Sequence, residues 1–141
     1  MKYAEFEVGQ VLHAGPYTVT EPEILAFAQQ WDPQWFHTQP EAAAKGPFNG
    51  LIASGWHTCG IAMRLAVDAF LAGSESYVSP GLDNIRWLHP VRPGDTLRLA
   101  ITIVEKRTTS AGLGLIRWDW EMANQKGDLV LEIKAANLFK I

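Results

Sequence analysis

Asp32 and His37 stand five residues apart in the stretch WDPQWFHT, Trp31–Thr38, and their side chains are the pair best suited to moving a proton. An unperturbed imidazole titrates near neutral pH, so His37 is the better proton acceptor. A nearby carboxylate would orient a water or share the proton. Two tryptophans, a phenylalanine and a proline lie in the same stretch. Such a setting is either a solvated loop pinned by rings or a proton-handling pair in a dry pocket. In the second case Trp31, Trp35 and Phe36 would exclude bulk water; equally, each ring would serve as a core anchor.

The flanking sequence predicts how the pair is held. Thr20 and Glu23 have the spacing of a capping box, with Pro22 in the first turn where its missing N–H costs nothing. Ile24, Leu25, Ala28 and Trp31 follow at helical spacing, so a helix is expected from Glu21 to Gln30 or Trp31. It must stop before Pro33, which pushes Asp32 out of the α region into an extended conformation. Thr38 and Glu41 form a second capping box, and PEAAAK reads as a short helix closed by Gly46. His37 is then expected just outside that helix, so both side chains ride on a stiff connector.

From Trp56 to Leu71 nearly every residue is apolar, and His57, Arg64 and Asp68 make one narrow polar stripe. A helix with that pattern is expected to be buried and wrapped. Tyr17–Val19 and Ile85–Leu88 read as short extended segments. TLRLAITIVEKRT, LGLIRWDWEM and DLVLEIKAANLF then alternate apolar and polar residues, with NQKG as a turn between the last two. The expected architecture is α+β: a curled antiparallel sheet around a long central buried helix, as one domain over residues 1–141.

This pattern resembles the hot-dog fold. The segment FAQQWDPQWFHTQPEAAAKGPFNGLIASGWHT resembles the MaoC-like acyl dehydratases, which include the (R)-specific enoyl-CoA hydratases, and LDNIRWLHPVRPGDTLRL resembles their second shared block. The resemblance implies that Asp32 and His37 are the catalytic acid and base. It also implies that Gly55, in the SG that opens the long helix, supplies the backbone N–H that binds the thioester carbonyl. Many hydratases of that family carry D-x-N-P-x-H, whereas here the interval is Pro33-Gln34-Trp35-Phe36. The activity implied is reversible water addition to an enoyl thioester, with acyl-CoA as substrate and no cofactor. A hot-dog thioesterase and a non-catalytic acyl-thioester-binding protein are the rivals.

Composition narrows the partners. The chain has 141 residues, a net charge of −3 and no basic run, which disfavours nucleic acid and anionic membrane as partners. MKYAEFEVGQ has acids and no apolar core, so no signal peptide is expected, and no apolar run reaches bilayer length. Cys59 is the lone cysteine, which fits a reducing, cytoplasmic setting. Within an apolar helix it is expected to be inert, and HTC at 57–59 lacks the spacing of a metal site. His57 is expected to be a satisfied helix histidine, and His13 and His89 structural. An exposed sheet edge leads us to expect a homodimer.

Overall fold

The computed structural model describes residues 1–141. In chain order it contains β1 (Val11–Thr18), α1 (Glu21–Trp31), α2 (Trp35–Thr38), α3 (Pro40–Ala44), α4 (Gly55–Ala66), a π-helical continuation (Val67–Leu71), β2 (Ser76–Trp87), β3 (Thr96–Thr108), β4 (Gly114–Ala123) and β5 (Leu129–Phe139). The strands form one antiparallel sheet in the order β1-β3-β4-β5-β2. No helix is long and apolar enough to cross a membrane.

The alternating segments behave as their period requires. Leu97, Leu99, Ile101 and Ile103 on β3, and Ile116, Trp118, Trp120 and Met122 on β4, all turn into the core. Leu131, Ile133 and Ala135 of β5 do the same. Gly127, at φ 81°, closes the turn between β4 and β5 by donating its N–H to the Asn124 carbonyl at 3.0 Å. Ile61, Ala62, Leu65 and Ala66 of α4 pack on this face.

The long helix is covered less completely than its composition suggests. The sheet is open and curls over one side, leaving Trp56 60% and Met63 44% exposed on the other. The polar stripe also divides. Arg64 and Asp68 pair in solvent at 2.8 Å, while His57 is buried and stacks on Phe27 of α1. Two strands are longer than expected. β2 lacks alternation because it is an edge strand exposed along most of its length. β1 runs through Gly15–Pro16 as a bulge between Ala14 and Tyr17, which an edge strand tolerates.

The helical connector differs in detail as well. Thr20 accepts the Glu23 N–H at 3.4 Å, as a cap should, but the Glu23 carboxylate takes the Tyr17 hydroxyl at 3.1 Å. The box is therefore half formed. Thr38 is not a cap: it ends α2 and donates its hydroxyl to the Gln34 carbonyl at 3.0 Å. Gln39 occupies the cap position of α3, because the residue before Pro40 is pushed out of the α region. His37 thus lies outside α3, as expected, but within a one-turn helix of its own.

The HPVRPGD block fastens this connector to the sheet. The Val91 carbonyl accepts the Ala53 N–H at 2.8 Å, and the Val19 carbonyl accepts the Gly94 N–H at 2.7 Å. Buried Asp95 holds the turn through the Arg92 N–H at 2.9 Å and the Gln125 side chain at 3.0 Å. The segment Leu51–Ser54 that leads into α4 is buried throughout.

Candidate active site

Asp32 is the residue at which α1 ends. Its N–H completes the last helical bond, to the Ala28 carbonyl at 2.8 Å, and Pro33 prevents another turn. Both carboxylate oxygens are engaged. Oδ1 accepts the Gln34 side-chain amide at 2.8 Å, and Oδ2 accepts the Ser54 hydroxyl at 2.7 Å. Partial burial pushes this carboxyl up, but the Gln34 and Ser54 bonds and the charge of His37 outweigh it and hold the group below the usual aspartate value. Gln34 stands where the D-x-N-P-x-H pattern has its asparagine, so the departure in sequence keeps an amide donor.

His37 is 5% exposed, and its orientation is set by one bond. Nδ1 lies 2.7 Å from the Ile52 carbonyl. A carbonyl only accepts, so Nδ1 carries the proton. In the neutral ring Nε2 then presents a lone pair, and it lies 3.4 Å from Asp32 Oδ2. Two lone pairs at that distance repel unless a proton sits between them.

Gly55 is the first residue of α4, and Ser54 is the cap residue. Ser54 makes no side-chain cap, because its hydroxyl goes to Asp32. The first-turn amides of a helix have no acceptor within the helix, and here the cap does not take them either. The helix dipole adds partial positive charge at the same place. Gly55 is held from its other side by Trp87, whose indole N–H donates to the Gly55 carbonyl at 2.8 Å.

Asp32, His37 and Gly55 line one cavity of about 430 Å³, with Phe48, Ile52, Ala53, Trp56, Trp87 and Val91 among its walls. A pocket of that size, with apolar walls and a few convergent polar groups, is the form a small-molecule site takes. Trp31, Trp35 and Phe36, weighed as seals for the pair or as core anchors, do not line the cavity, and none of them is in the buried core. Trp31 is 69% exposed at the end of α1, and Trp35 packs instead on Gly46, where a Cβ would come within 2.6 Å of its ring. Phe36 supports the His37 imidazole edge-on at 4.5 Å. The enclosing rings are Phe48, Trp56 and Trp87, supplied by distant segments; Trp56 and Trp87 meet edge-to-face at 5.4 Å.

The family described as the MaoC like domain matches residues 4–114. The chain belongs to the MaoC-like dehydratase family. The uncharacterized protein YdeM of Bacillus subtilis is 32% identical over 140 residues, covering 99% of each chain. The 3-hydroxyacyl-thioester dehydratase Z of Mycobacterium tuberculosis is 35% identical over 89 residues, spanning 62% of this chain and 59% of that protein. Among solved structures, the MaoC-like dehydratase from Rhodospirillum rubrum superposes with a TM-score of 0.88 at 31% identity, covering 98% of this chain and 96% of that one. The R-hydratase PhaJ1 from Pseudomonas aeruginosa gives 0.78 at 25% identity, covering 98% and 84%. The hot-dog architecture is thus shared with MaoC-like proteins.

Other residues of this MaoC-like chain are placed as follows. His57 departs from the expectation of a satisfied histidine: Nε2 lies 3.5 Å from Glu23, but buried Nδ1 has no partner. Its burial holds it below the ordinary value, against the upward pull of Glu23. Burial raises the Cys59 thiol, against a weaker lowering by Trp87, so the thiolate is disfavoured. His13 is exposed on β1, whereas His89 lines the cavity mouth with Nδ1 2.8 Å from the Leu129 carbonyl. No group of three or more His, Cys, Asp or Glu side chains is placed to share a metal ion. A second cavity of about 360 Å³, mostly apolar, opens between α4 and the sheet and shares Trp56 with the first. Ser54, Gln34 and Trp87 were not singled out from the sequence. Their nearest signals were the SG helix start and the interval inside the Asp–His motif.

Proposed function

We propose that this protein is an acyl-thioester hydro-lyase that reversibly adds water across the double bond of an enoyl-CoA. The observation that carries the reading is the convergence of Asp32, His37 and the amide end of α4 on one cavity. Water would bridge Asp32 Oδ2 and His37 Nε2 from the cavity side, in contact with both atoms. As its oxygen bonds the β-carbon, one O–H bond breaks and the proton passes to Nε2. The alkene electrons move onto the thioester, where the Gly55 N–H meets the growing negative charge on the oxygen. The Nε2–H bond then breaks as that proton passes to the α-carbon, which completes the addition and restores the neutral imidazole. Asp32, held anionic by two donors, stabilises the imidazolium in between. Base catalysis of this kind contributes about 10²–10⁴-fold, and one amide donor to an oxyanion about 3 kcal/mol.

The working unit would be one domain over residues 1–141, in the cytoplasm, with no cofactor, as a homodimer. β2 supports the dimer: it is an exposed edge, and Tyr77, Val78 and Leu82 on it are exposed together with Met63 of α4. Sedimentation of a monomer at working concentration would remove that part of the proposal.

Crotonyl-CoA, with simultaneous monitoring of the conjugated alkene and of free thiol, tests the reaction. Loss of the alkene without thiol release is expected. Thiol release with the alkene intact would make the protein a thioesterase, and binding with neither would make it a non-catalytic acyl-thioester binder.

A further inference from the structure

Ser54 is completely buried, and it breaks the usual behaviour of its position. A serine at a helix cap ordinarily accepts an N–H from the first turn. Here the hydroxyl turns away and donates to Asp32 Oδ2 at 2.7 Å, across 22 residues of chain. The same oxygen faces His37 Nε2 at 3.4 Å.

We infer that Ser54 is a positioning residue that couples the two halves of the site, fixing the Asp32 carboxylate toward His37 while leaving the first-turn amides of α4 uncapped for the thioester oxygen. The inference rests on the hydration reading and deepens it. A hydroxyl has one proton, so donating to Asp32 fixes where its lone pairs point. The donation orients Oδ2 and favours the ionised carboxylate. The turn of the side chain away from α4 withdraws the acceptor that would compete for the amides. Gln34 complements this by holding Oδ1 at 2.8 Å, so the carboxylate is gripped at both oxygens and cannot rotate away from the imidazole. Asp32 therefore acts through its charge, and the travelling proton belongs to His37.

The test uses the full chain with Ser54→Ala, and with Ser54→Thr and Ser54→Cys as variants that keep a donor. In Ser54→Ala, kcat for crotonyl-CoA hydration is expected to fall about 10²-fold, the scale of loss when a reacting group is slightly misplaced, with KM changed far less. The Asp32 carboxyl, followed by carbon-13 NMR, is expected to titrate at higher pH than in the parent, because a donor to the ionised form is gone. Ser54→Thr should restore both readouts in large part, and Ser54→Cys, a weaker donor, should fall between. A buried serine with only a packing role would not move the Asp32 titration. An unmoved titration together with kcat within about twofold of the parent overturns the inference. If Ser54→Ala does not fold, Ser54→Cys decides alone: parental kcat and titration overturn the inference, and an upward titration with reduced kcat supports it. A parent protein that hydrates nothing fails the functional reading instead, while the titration still reports on the Ser54 clamp.

Discussion

Gly55→Ala separates two reasons for glycine at the start of α4. Close approach of substrate is one. The other is internal: a Cβ at Gly55 would lie 2.6 Å from Cε2 and Nε1 of Trp87 and 3.0 Å from Cδ2. Ordinary carbon contacts are about 3.5–4.0 Å, so the indole must retreat by about 1 Å. That movement breaks its 2.8 Å bond to the Gly55 carbonyl. Overpacking costs about 1–3 kcal/mol and a lost hydrogen bond about 1 kcal/mol. Trp87 is 45% exposed and can swing outward, so a total near 2 kcal/mol is expected, or a Tm lower by roughly 8 °C at about 4 °C per kcal/mol. The double-mutant cycle with Trp87→Ala isolates the cause. Because removal of the ring abolishes the clash, Gly55→Ala should cost well under 1 kcal/mol in that background, a coupling of about 1–2 kcal/mol. Thermal denaturation of the four proteins measures it. Additive effects, or a Gly55→Ala protein with parental Tm, would refute the account of Trp87 as the wall behind the glycine.

Asp32→Asn, equal in size but uncharged, is expected to lower the hydration rate by about 10²–10⁴-fold with the fold intact; retention of about a tenth of the activity would contradict the role given to its charge. His57 predicts an acid-sensitive fold. Its pKa is depressed below 6.5 by burial, so the unfolded chain takes up the proton first as pH falls. The stability due to the neutral ring is complete above about pH 6.5 and is lost as pH drops through the folded value, whereas the Asp32 contribution is lost only below about pH 4. Urea midpoints near pH 7.5 and 5.5 should therefore diverge less in His57→Gln than in the parent, and an equal divergence would show that another group is responsible. Cys59 should be alkylated at least about tenfold more slowly in the native protein than in urea, since burial disfavours its thiolate; equal rates would show the thiol to be open.

The parts of the fold legible in the sequence are those governed by short-range rules. Alternation exposed β3, β4 and β5, and Thr20 with Pro33 bracketed α1 almost to the residue. Asp32 and His37 were legible because their spacing is local and Pro33 fixes where the helix ends. What could not be read depends on partners distant in the chain. Trp87 reaches Gly55 across 32 residues and Ser54 reaches Asp32 across 22, and nothing in local composition marks either contact. Trp31 and Trp35 misled because aromatic content near a site does not say which way a ring points. The helix at 55–71 misled for a related reason: apolar composition predicts burial, but an open sheet covers only one side, and Trp56 and Met63 stay exposed on the other.

A crystal structure of the protein with 3-hydroxybutyryl-CoA, the product of crotonyl-CoA hydration, tests the central claim most directly. The account predicts the 3-hydroxyl oxygen on the cavity side of the pair, within hydrogen-bond distance of both Asp32 Oδ2 and His37 Nε2, and the thioester oxygen about 3 Å from the Gly55 amide. A thioester lodged elsewhere, or a hydroxyl out of reach of both side chains, would contradict it.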